Sequence, residues 1–426
     1  MTSETTQTAR TALTSYVLVA LLFLVIVAGG YFVMFKGNKA LVFSSPQMLS
    51  ALWNNYKKVY ITAGGARTID PARDGATTSE GESYTMLRAV WMGDKATFDA
   101  SWDWTRTTLQ RPDGVYSWLY GKRTDGTYGI LTDQGGVTSA SDADVDIALS
   151  LIFAYARWQD PAYLAAASTT INGIWNTDVV RVQGTPYLSA DSLEKESTTD
   201  WVIINPSYLN LAAFRIFAQI DPAHPWMQVV DSSYTILERT IDLPLDTSKS
   251  AGLPPDWIRI NKKTGEIQAV SLPNTSTDFG YNALRIPWRL TLDWEWFHDS
   301  RDQAILDKFS FLSTTWKKDG FLYATYTHNG SVATSAAYQS PAMYGGTIGY
   351  FMIADPAHAA DIYSKELEDL FSPDNNTWKG DLSYYDDNWA WFGIALYNHL
   401  LPNIAASLPS LSTEHSRPLL VTQNGS

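Results

Sequence analysis

Apolar residues recur at helical spacing along this chain, and strand-like alternation is scarce. Val145, Ala148, Leu151, Ile152, Tyr155 and Trp158 follow a spacing of three and four that makes one face of a helix. Helix starts recur too. Ser79-Glu80-Gly81-Glu82 and Ser141-Asp142-Ala143-Asp144 both have the Ser-x-x-acid form of a capping box. Asn205-Pro206 offers an N-cap followed by proline at the first helical position. Asp387-Asn388 precedes the apolar run Trp389 to Leu396. Alternation is confined to short stretches such as Phe321 to Tyr326, and no linker follows Pro46. The pattern predicts one mostly helical domain over residues 47–404, with long Gly/Pro/Asp-rich loops and a C-terminal tail at 405–426.

Residues 11–36 follow a different rule. Thr11 to Phe35 carries no charge, and Tyr16 to Phe35 is almost wholly apolar. About 20 such residues span the hydrocarbon layer of a bilayer. A secretory signal has a shorter apolar region, roughly 7–15 residues, closed by a small-x-small cleavage site; Ile26-Val27-Ala28 is a poor one. The segment predicts a single uncleaved transmembrane anchor, with a short tail at residues 1–10 and a tether at 37–46. The flanking charges, Arg10 before and Lys36 and Lys39 after, do not favour a cytoplasmic N-terminus. Long domains translocate largely regardless of charge, so an extracellular domain is expected from function rather than from charge.

The composition narrows the function. A net charge of -13 argues against nucleic acid, whose phosphates need a basic footprint. The absence of cysteine excludes disulfides, thiolate nucleophiles and cysteine-bound zinc. None of the six histidines forms a His-x-x-x-His pair, so neither a metal site nor a cofactor is expected. Seventeen tryptophans and twenty-three tyrosines exceed the needs of a core. Their apolar faces and polar tips suit stacking on sugar rings. Glu82 and Asp144 occupy the capping positions of their boxes, whereas Glu80 and Asp142 are spare. A barrel of helix hairpins gathers such helix starts at one end and brings distant carboxylates together. Cleaving a glycosidic bond needs two carboxyl groups, one protonated and one ionised. A helix N-terminus favours the ionised form, so an acid there needs burial or a second carboxylate to raise its pKa.

The stretch Ala140-Ser141-Asp142-Ala143-Asp144-Val145-Asp146-Ile147-Ala148 and its apolar continuation to Trp158 resembles the signature of glycoside hydrolase family 8. Ser79-Glu80-Gly81-Glu82-Ser83-Tyr84-Thr85-Met86 is similar to the family's Ser-Glu-Gly-x-x-Tyr-Gly-Met segment. Trp118-Leu119-Tyr120-Gly121, Asn205-Pro206-Ser207-Tyr208 and Asn388-Trp389-Ala390-Trp391-Phe392-Gly393 look like family segments in the family's order. The resemblance spans about Leu52 to Leu400. It implies an all-α (α/α)6 barrel and endo-acting, inverting hydrolysis of β-1,4-glucan, as in cellulases, or of xylan or chitosan in some members. It implies Glu80 as the general acid and Asp142 as the residue that holds and distorts the sugar at the point of cleavage. Tyr84, Trp118, Trp201 and Tyr208 are expected to bind substrate. A cellulase of this kind would sit in the cell membrane by its single anchor, catalytic domain outside. Its role is either degradation of external polymer or service to the cell's own cellulose-synthesis machinery.

One family segment departs from the pattern. Tyr-Asp-x-x-Arg normally supplies the catalytic base and an arginine, and the matching residues here are Tyr281-Asn282-Ala283-Leu284-Arg285. An amide cannot take a proton from water at neutral pH. The first replacement expected is Asp278, just ahead of the helix start near Tyr281; the second is an acid of the loop carrying Asp191, Glu194 and Glu196. Tyr281, Asn282 and Arg285 then remain as substrate-binding residues. A carbohydrate-binding relative with weakened catalysis is the alternative that Asn282 raises.

Overall fold

In a computed structural model of the chain, residues 43–408 are described, apart from Ala63 and Gly65. The expected anchor, the tail before it and most of the tether lie outside the described residues, as does the chain after Leu408. Among the described residues no helix is long and apolar enough to cross a membrane.

The helices of ten residues or more are, in chain order, α1 (Ser45–Tyr60), α2 (Ser79–Met92), α3 (Lys95–Thr108), α4 (Ser141–Trp158), α5 (Pro161–Thr177), α6 (Leu211–Ile220), α7 (Trp226–Asp242), α8 (Arg285–Phe297), α9 (Ser310–Asp319), α10 (Pro341–Ala354) and α11 (Tyr384–Tyr397). Helices α2, α4, α6, α8, α10 and α11 each pack against the next in that order. Arg88 of α2 closes the circuit by donating to Asp387 (3.0 Å) and Asn388 (3.1 Å) of α11. Helices α1, α3, α5 and α7 lie outside this set, against α11, α2, α4 and α6. Because outer helices, or between α10 and α11 the shorter helix Pro356–Ile362 and its continuation, return the chain between successive inner ones, the inner helices run in one sense and their N-termini share one end. This mostly helical, two-layered arrangement is consistent with the expected barrel.

Burial separates the layers. From Ser141 to Ala154 every residue of α4 is buried, polar and apolar alike. The single apolar face read from the sequence is therefore incomplete: α4 is covered on all sides because it lies in the inner layer. Helices α10 and α11 come so close that a Cβ on Gly345 would lie 1.9 Å from the Trp389 carbonyl oxygen, and one on Gly393 2.4 Å from the Gly345 Cα. Only glycine permits that approach.

Neither capping box forms. The N-cap of α2 is Thr78, whose hydroxyl accepts from Gly81 N at 3.0 Å. Glu82 reaches instead across to Thr68 N (2.6 Å) and the Ser101 hydroxyl. Ala140 stands at the N-cap of α4 without a side-chain bond, and Asp144 accepts from Tyr116 N at 3.0 Å. Both acids hold the loops ahead of the inner helices rather than their own helix ends. Asn205 caps as expected, accepting from Ser207 N at the start of the short turn Pro206–Tyr208. Helix α11 starts earlier than expected, on the Ser383 cap, which draws Asp387 and Asn388 inside it.

Short strands carry the loops. One sheet joins Thr77–Thr78, Leu119–Lys122 and Tyr128–Ile130, and another joins Trp201–Ile204, Ile258–Asn261 and Ile267–Ala269. In the stretch Phe321 to Tyr326 only isolated bridges take shape, from Tyr326 to Phe279 and to Val332. The first and last helices meet at the end opposite the inner N-termini. There Ser45 donates to Asn398 at 2.6 Å, just past the C-terminus of α11.

Candidate active site

The loops and first turns at the N-terminal end of the inner helices enclose a cavity of about 410 Å³. Glu80 and Ser79 enter it from α2, Asp142 and Ala140 from α4, Tyr208 from the turn before α6, Tyr281 and Asn282 from the turn before α8, and Tyr384 and Tyr385 from α11. Trp118 lines it from the loop ahead of the Leu119 strand, its ring nitrogen fixed to the Gly135 carbonyl at 3.0 Å. Asp70 and Arg73 complete the wall.

Arg285, itself buried, ties the charged groups together. One of its terminal nitrogens donates to Glu80 Oε2 (3.1 Å), Asp142 Oδ2 (2.8 Å) and the Tyr84 hydroxyl (3.3 Å). The other donates to the Ser207 hydroxyl (2.7 Å) and Asn282 Oδ1 (3.0 Å). Burial pushes the Glu80 carboxyl up to about 7; Arg285 pulls it down and Asp142 pushes it up, both by less. An acid so poised holds its proton near neutrality yet can release it. Burial also holds the Tyr208 hydroxyl well above its usual range.

One helical turn deeper the pattern repeats. Arg289 donates to Asp146 through two nitrogens, at 3.0 and 2.9 Å. Asn210 of the α6 cap adds a third bond to Asp146, at 2.9 Å. Asp142 and Asp146 on α4 thus face Arg285 and Arg289 on α8 in two rungs. Such pairs are costly to desolvate and depend on full hydrogen bonding. They fix the height of α4 against α8, and with it the meeting of Asp142 and Arg285.

The orientation of Asn282 follows from groups that can only donate. Ser207 N donates to Asn205 Oδ1 at 3.0 Å, so the amide end of Asn205 must point the other way. That amide donates to Asn282 Oδ1 at 3.0 Å, and Arg285, which has no acceptor, donates to the same oxygen. With its oxygen twice engaged, Asn282 offers the cavity an N–H donor, not a proton acceptor.

Not every expected residue reaches the cavity. Glu80, Asp142, Trp118, Tyr208, Tyr281 and Asn282 line it. Tyr84 lies beneath, bonded to Arg285 and edge-on to Trp389 and Phe392. Trp201 sits in a strand with Arg259 over its ring at 4.6 Å, away from the lining. Asp278 is not among the lining residues either. It is half-buried, raised by burial and by Asp246, with Ser276 and His328 as its other electrostatic neighbours. Phe279 pairs with Tyr326, so the chain is extended here and Asp278 does not sit one helical turn before Asn282. The second set also has other work: Asp191 caps the helix Ser192–Glu196, Glu194 accepts from Ile203 N at 2.7 Å, and Glu196 is absent from the lining. The carboxylates lining the cavity are Asp70, Glu80 and Asp142. Sequence reasoning missed Asp70, Arg73, Tyr384 and Tyr385. The two tyrosines stand just before the Asp387-Asn388 pair and were legible as part of that motif; Asp70 and Arg73 carry no comparable signal. Among the described residues no group of three His, Asp or Glu side chains is arranged to hold a metal ion.

Comparison with known proteins bears on the family and the fold. The family profile described as glycosyl hydrolases family 8 matches residues 28–383. Endoglucanase 2 of Ruminiclostridium josui is 28% identical over 393 residues, which cover 88% of this chain and 74% of that protein. An endoglucanase of Escherichia coli K12 is 30% identical over 275 residues, 63% of this chain and 69% of that one. Among solved structures, the endo-1,4-D-glucanase of Vibrio fischeri ES114 superposes with a TM-score of 0.68 at 24% identity, covering 82% of this chain and 94% of that one.

Proposed function

Because the chain belongs to glycosyl hydrolases family 8 and is a glycosidase, we propose that it is an endo-acting β-1,4-glucanase that cuts with inversion. The observation that carries this reading is Glu80. Its carboxyl opens into an aromatic-walled cavity, is held by Arg285 beside Asp142, and is raised by burial to about 7. Glu80 acts as the general acid and protonates the departing glycosidic oxygen. Asp142, fixed by Arg285, holds the hydroxyls of the sugar whose bond breaks, and Trp118, Tyr208 and Tyr281 wall the sugar path. The endoglucanase names of the relatives support glucan over xylan or chitosan.

Inversion needs a second carboxylate, about 6.5–9.5 Å from the acid, to take the proton of the attacking water. Asn282 presents a donor and would hold that water through a lone pair. We assign the base to Asp70 rather than Asp278, because Asp70 shares the cavity with Glu80. Its carboxylate is oriented by Ala72 N at 3.0 Å and Arg73 at 3.4 Å.

The test is release of reducing ends from carboxymethyl cellulose, xylan and chitosan, with the anomer of the first product read by NMR. Activity on the cellulose derivative with α-anomer product is expected. Glu80→Gln should remove turnover by orders of magnitude while oligosaccharide binding persists. Asp70→Asn should remove turnover and Asp278→Asn should leave most of it; the reverse result returns the base to Asp278. Near wild-type rates in Glu80→Gln would sink the reading of Glu80.

The location is a further part of the proposal. Tyr16 to Phe35 is long and apolar enough to span a bilayer, so the enzyme would be held at the cell membrane with its catalytic domain outside. There it would act on external polymer or beside cellulose-synthesis machinery. Full-length protein should stay with membranes through carbonate washing; recovery of a soluble chain beginning near residue 29 would rule the anchor out.

A further inference from the structure

Helix α8 presents Arg285, and the turn before it presents Asn282, yet the residue at the N-cap of α8, Leu284, makes no side-chain cap bond. The N–H groups at a helix start need partners. The first of α8 find theirs in the turn before it, Arg285 N donating to the Asn282 carbonyl at 3.1 Å and Ile286 N to the Ala283 carbonyl at 3.0 Å; the N–H groups of that turn are met from elsewhere in the chain. Asp256 Oδ1 accepts from the backbone nitrogens of Gly280 (3.2 Å), Asn282 (3.1 Å) and Ala283 (2.6 Å). Asp256 is 7% exposed and forms no ion pair with any described residue. A buried carboxylate without a cation is costly unless hydrogen bonds compensate, and this turn supplies three.

The surrounding contacts allow the turn little freedom. Asp256 N donates to the Asp278 carbonyl at 2.7 Å and Trp257 N to the Ser276 carbonyl at 3.0 Å, strapping the two segments together. A Cβ on Gly280 would lie 2.9 Å from Asp256 Oδ2 and 3.2 Å from Thr325 Cγ2, so a side chain there would push the turn off the carboxylate. The neighbouring Trp257 packs edge-on against Tyr208, with ring centroids 5.9 Å apart. Two adjacent residues thus buttress two neighbouring parts of the cavity wall.

We propose that Asp256 is a positioning residue for hydrolysis: its carboxylate fixes the Gly280–Ala283 turn, and through it the angle at which Asn282 and Arg285 meet Glu80 and Asp142. This rests on the reading of Glu80 as the acid. Without Asp256 the turn relaxes and Arg285 drifts from Glu80. The acid then keeps the burial that raises its pKa and loses the cation that lowers it.

The experiment compares full-length wild type, Asp256→Asn, Asp256→Ala and Gly280→Ala on carboxymethyl cellulose, with kcat, KM, thermal midpoint and the pH profile of kcat/KM. A misplacement of about 1 Å costs on the order of 100-fold in rate, and that fall in kcat is expected for Asp256→Ala with KM changed far less. The alkaline limb of its profile should move to higher pH. Asp256→Asn keeps one oxygen for the three N–H groups and should recover part of both effects. Gly280→Ala keeps the carboxylate and breaks the same contact from the other side, so it should shift the limb in the same direction. A purely structural role would lower the thermal midpoint and leave kcat of the folded enzyme and the limb as in wild type; that result overturns the proposal. If Asp256→Ala does not fold, Asp256→Asn and Gly280→Ala decide by the same criteria. Failure of the underlying function would look different: no hydrolysis by wild type, or full turnover in Glu80→Gln.

Discussion

Burial raises Glu80 to about 7, and on the proposed reading of Glu80 as the general acid, loss of that proton stops protonation of the leaving group. The kcat/KM profile should therefore fall on its alkaline side with a midpoint near neutrality. Arg285→Lys, which cannot span Glu80, Asp142 and Ser207 together, should move that midpoint upward; a midpoint near 4.5 in wild type would contradict the burial argument. Asn282 allows a second prediction. Its oxygen is held by Asn205 and Arg285, so Asn282→Asp would keep those bonds and turn a carboxylate oxygen toward the cavity. The variant should match or exceed wild-type kcat, and a loss beyond tenfold would mean that the N–H donor itself holds substrate or water. Residues of this kind were legible in part. Glu80, Asp142 and Arg285 stand within the first turn of a helix, where spacing and motif coincide. Asp70 and Asp256 could not be read from spacing: each acts through a loop whose path is set by contacts with distant segments. Asp278 stands off the cavity lining for a local reason, because Phe279 is drawn into a bridge with Tyr326 and the Asp278 carbonyl is taken by Asp256 N.

At the scale of elements, the join between α1, α2 and α11 depends on one guanidinium. Arg88 is fully buried, lies 4.0 Å from the Tyr56 ring centroid and 4.8 Å from that of Trp391, and pairs with Asp387. Trp378 donates to the other oxygen of Asp387 at 2.6 Å. Removing one partner of such a pair leaves an unpaired buried charge, so Arg88→Ala should cost about 3–5 kcal/mol in denaturant unfolding. Arg88→Met, which restores volume but not charge, should cost as much unless Asp387 is changed with it. Glu82 carries a second prediction. It spans from α2 to Thr68 and Ser101, so Glu82→Gln should lose about 1 kcal/mol, and Glu82→Ala about 2–4 kcal/mol through the orphaned N–H and the void. Equal losses of about 1 kcal/mol for both would return Glu82 to the cap that the sequence suggested. That suggestion was reasonable, since the Ser-x-x-acid spacing is present; tertiary partners took both acids of the two motifs. The aromatic surplus likewise signalled a sugar path without telling Trp118, which lines it, from Trp201, which does not.

Across the whole molecule, buried carboxyls set how stability depends on pH. Burial raises Glu82, Asp178 and Asp256 to about 7 and Asp302 to about 9, and holds Asp144 well above its usual range. In the unfolded chain the same groups ionise near 4. Below that value both states are protonated and the folded state keeps its full advantage. Between about 4 and 7 the unfolded chain releases protons that the folded one retains, so stability declines as pH rises and levels off beyond the folded values. Calorimetry from pH 4.5 to 8 should show a falling thermal midpoint, with a shallower slope in Glu82→Gln; a midpoint that climbs over this range would refute the burial argument.

Ser45, where the first helix begins, meets Asn398 at the far end of α11 from Tyr384 and Tyr385. Helix α11 has 14 residues, so these two ends stand about 20 Å apart at 1.5 Å per residue. The first described helix therefore begins at the back of the fold, and the cavity opens at the other end. A polymer strand can therefore reach the cavity without meeting the start of α1.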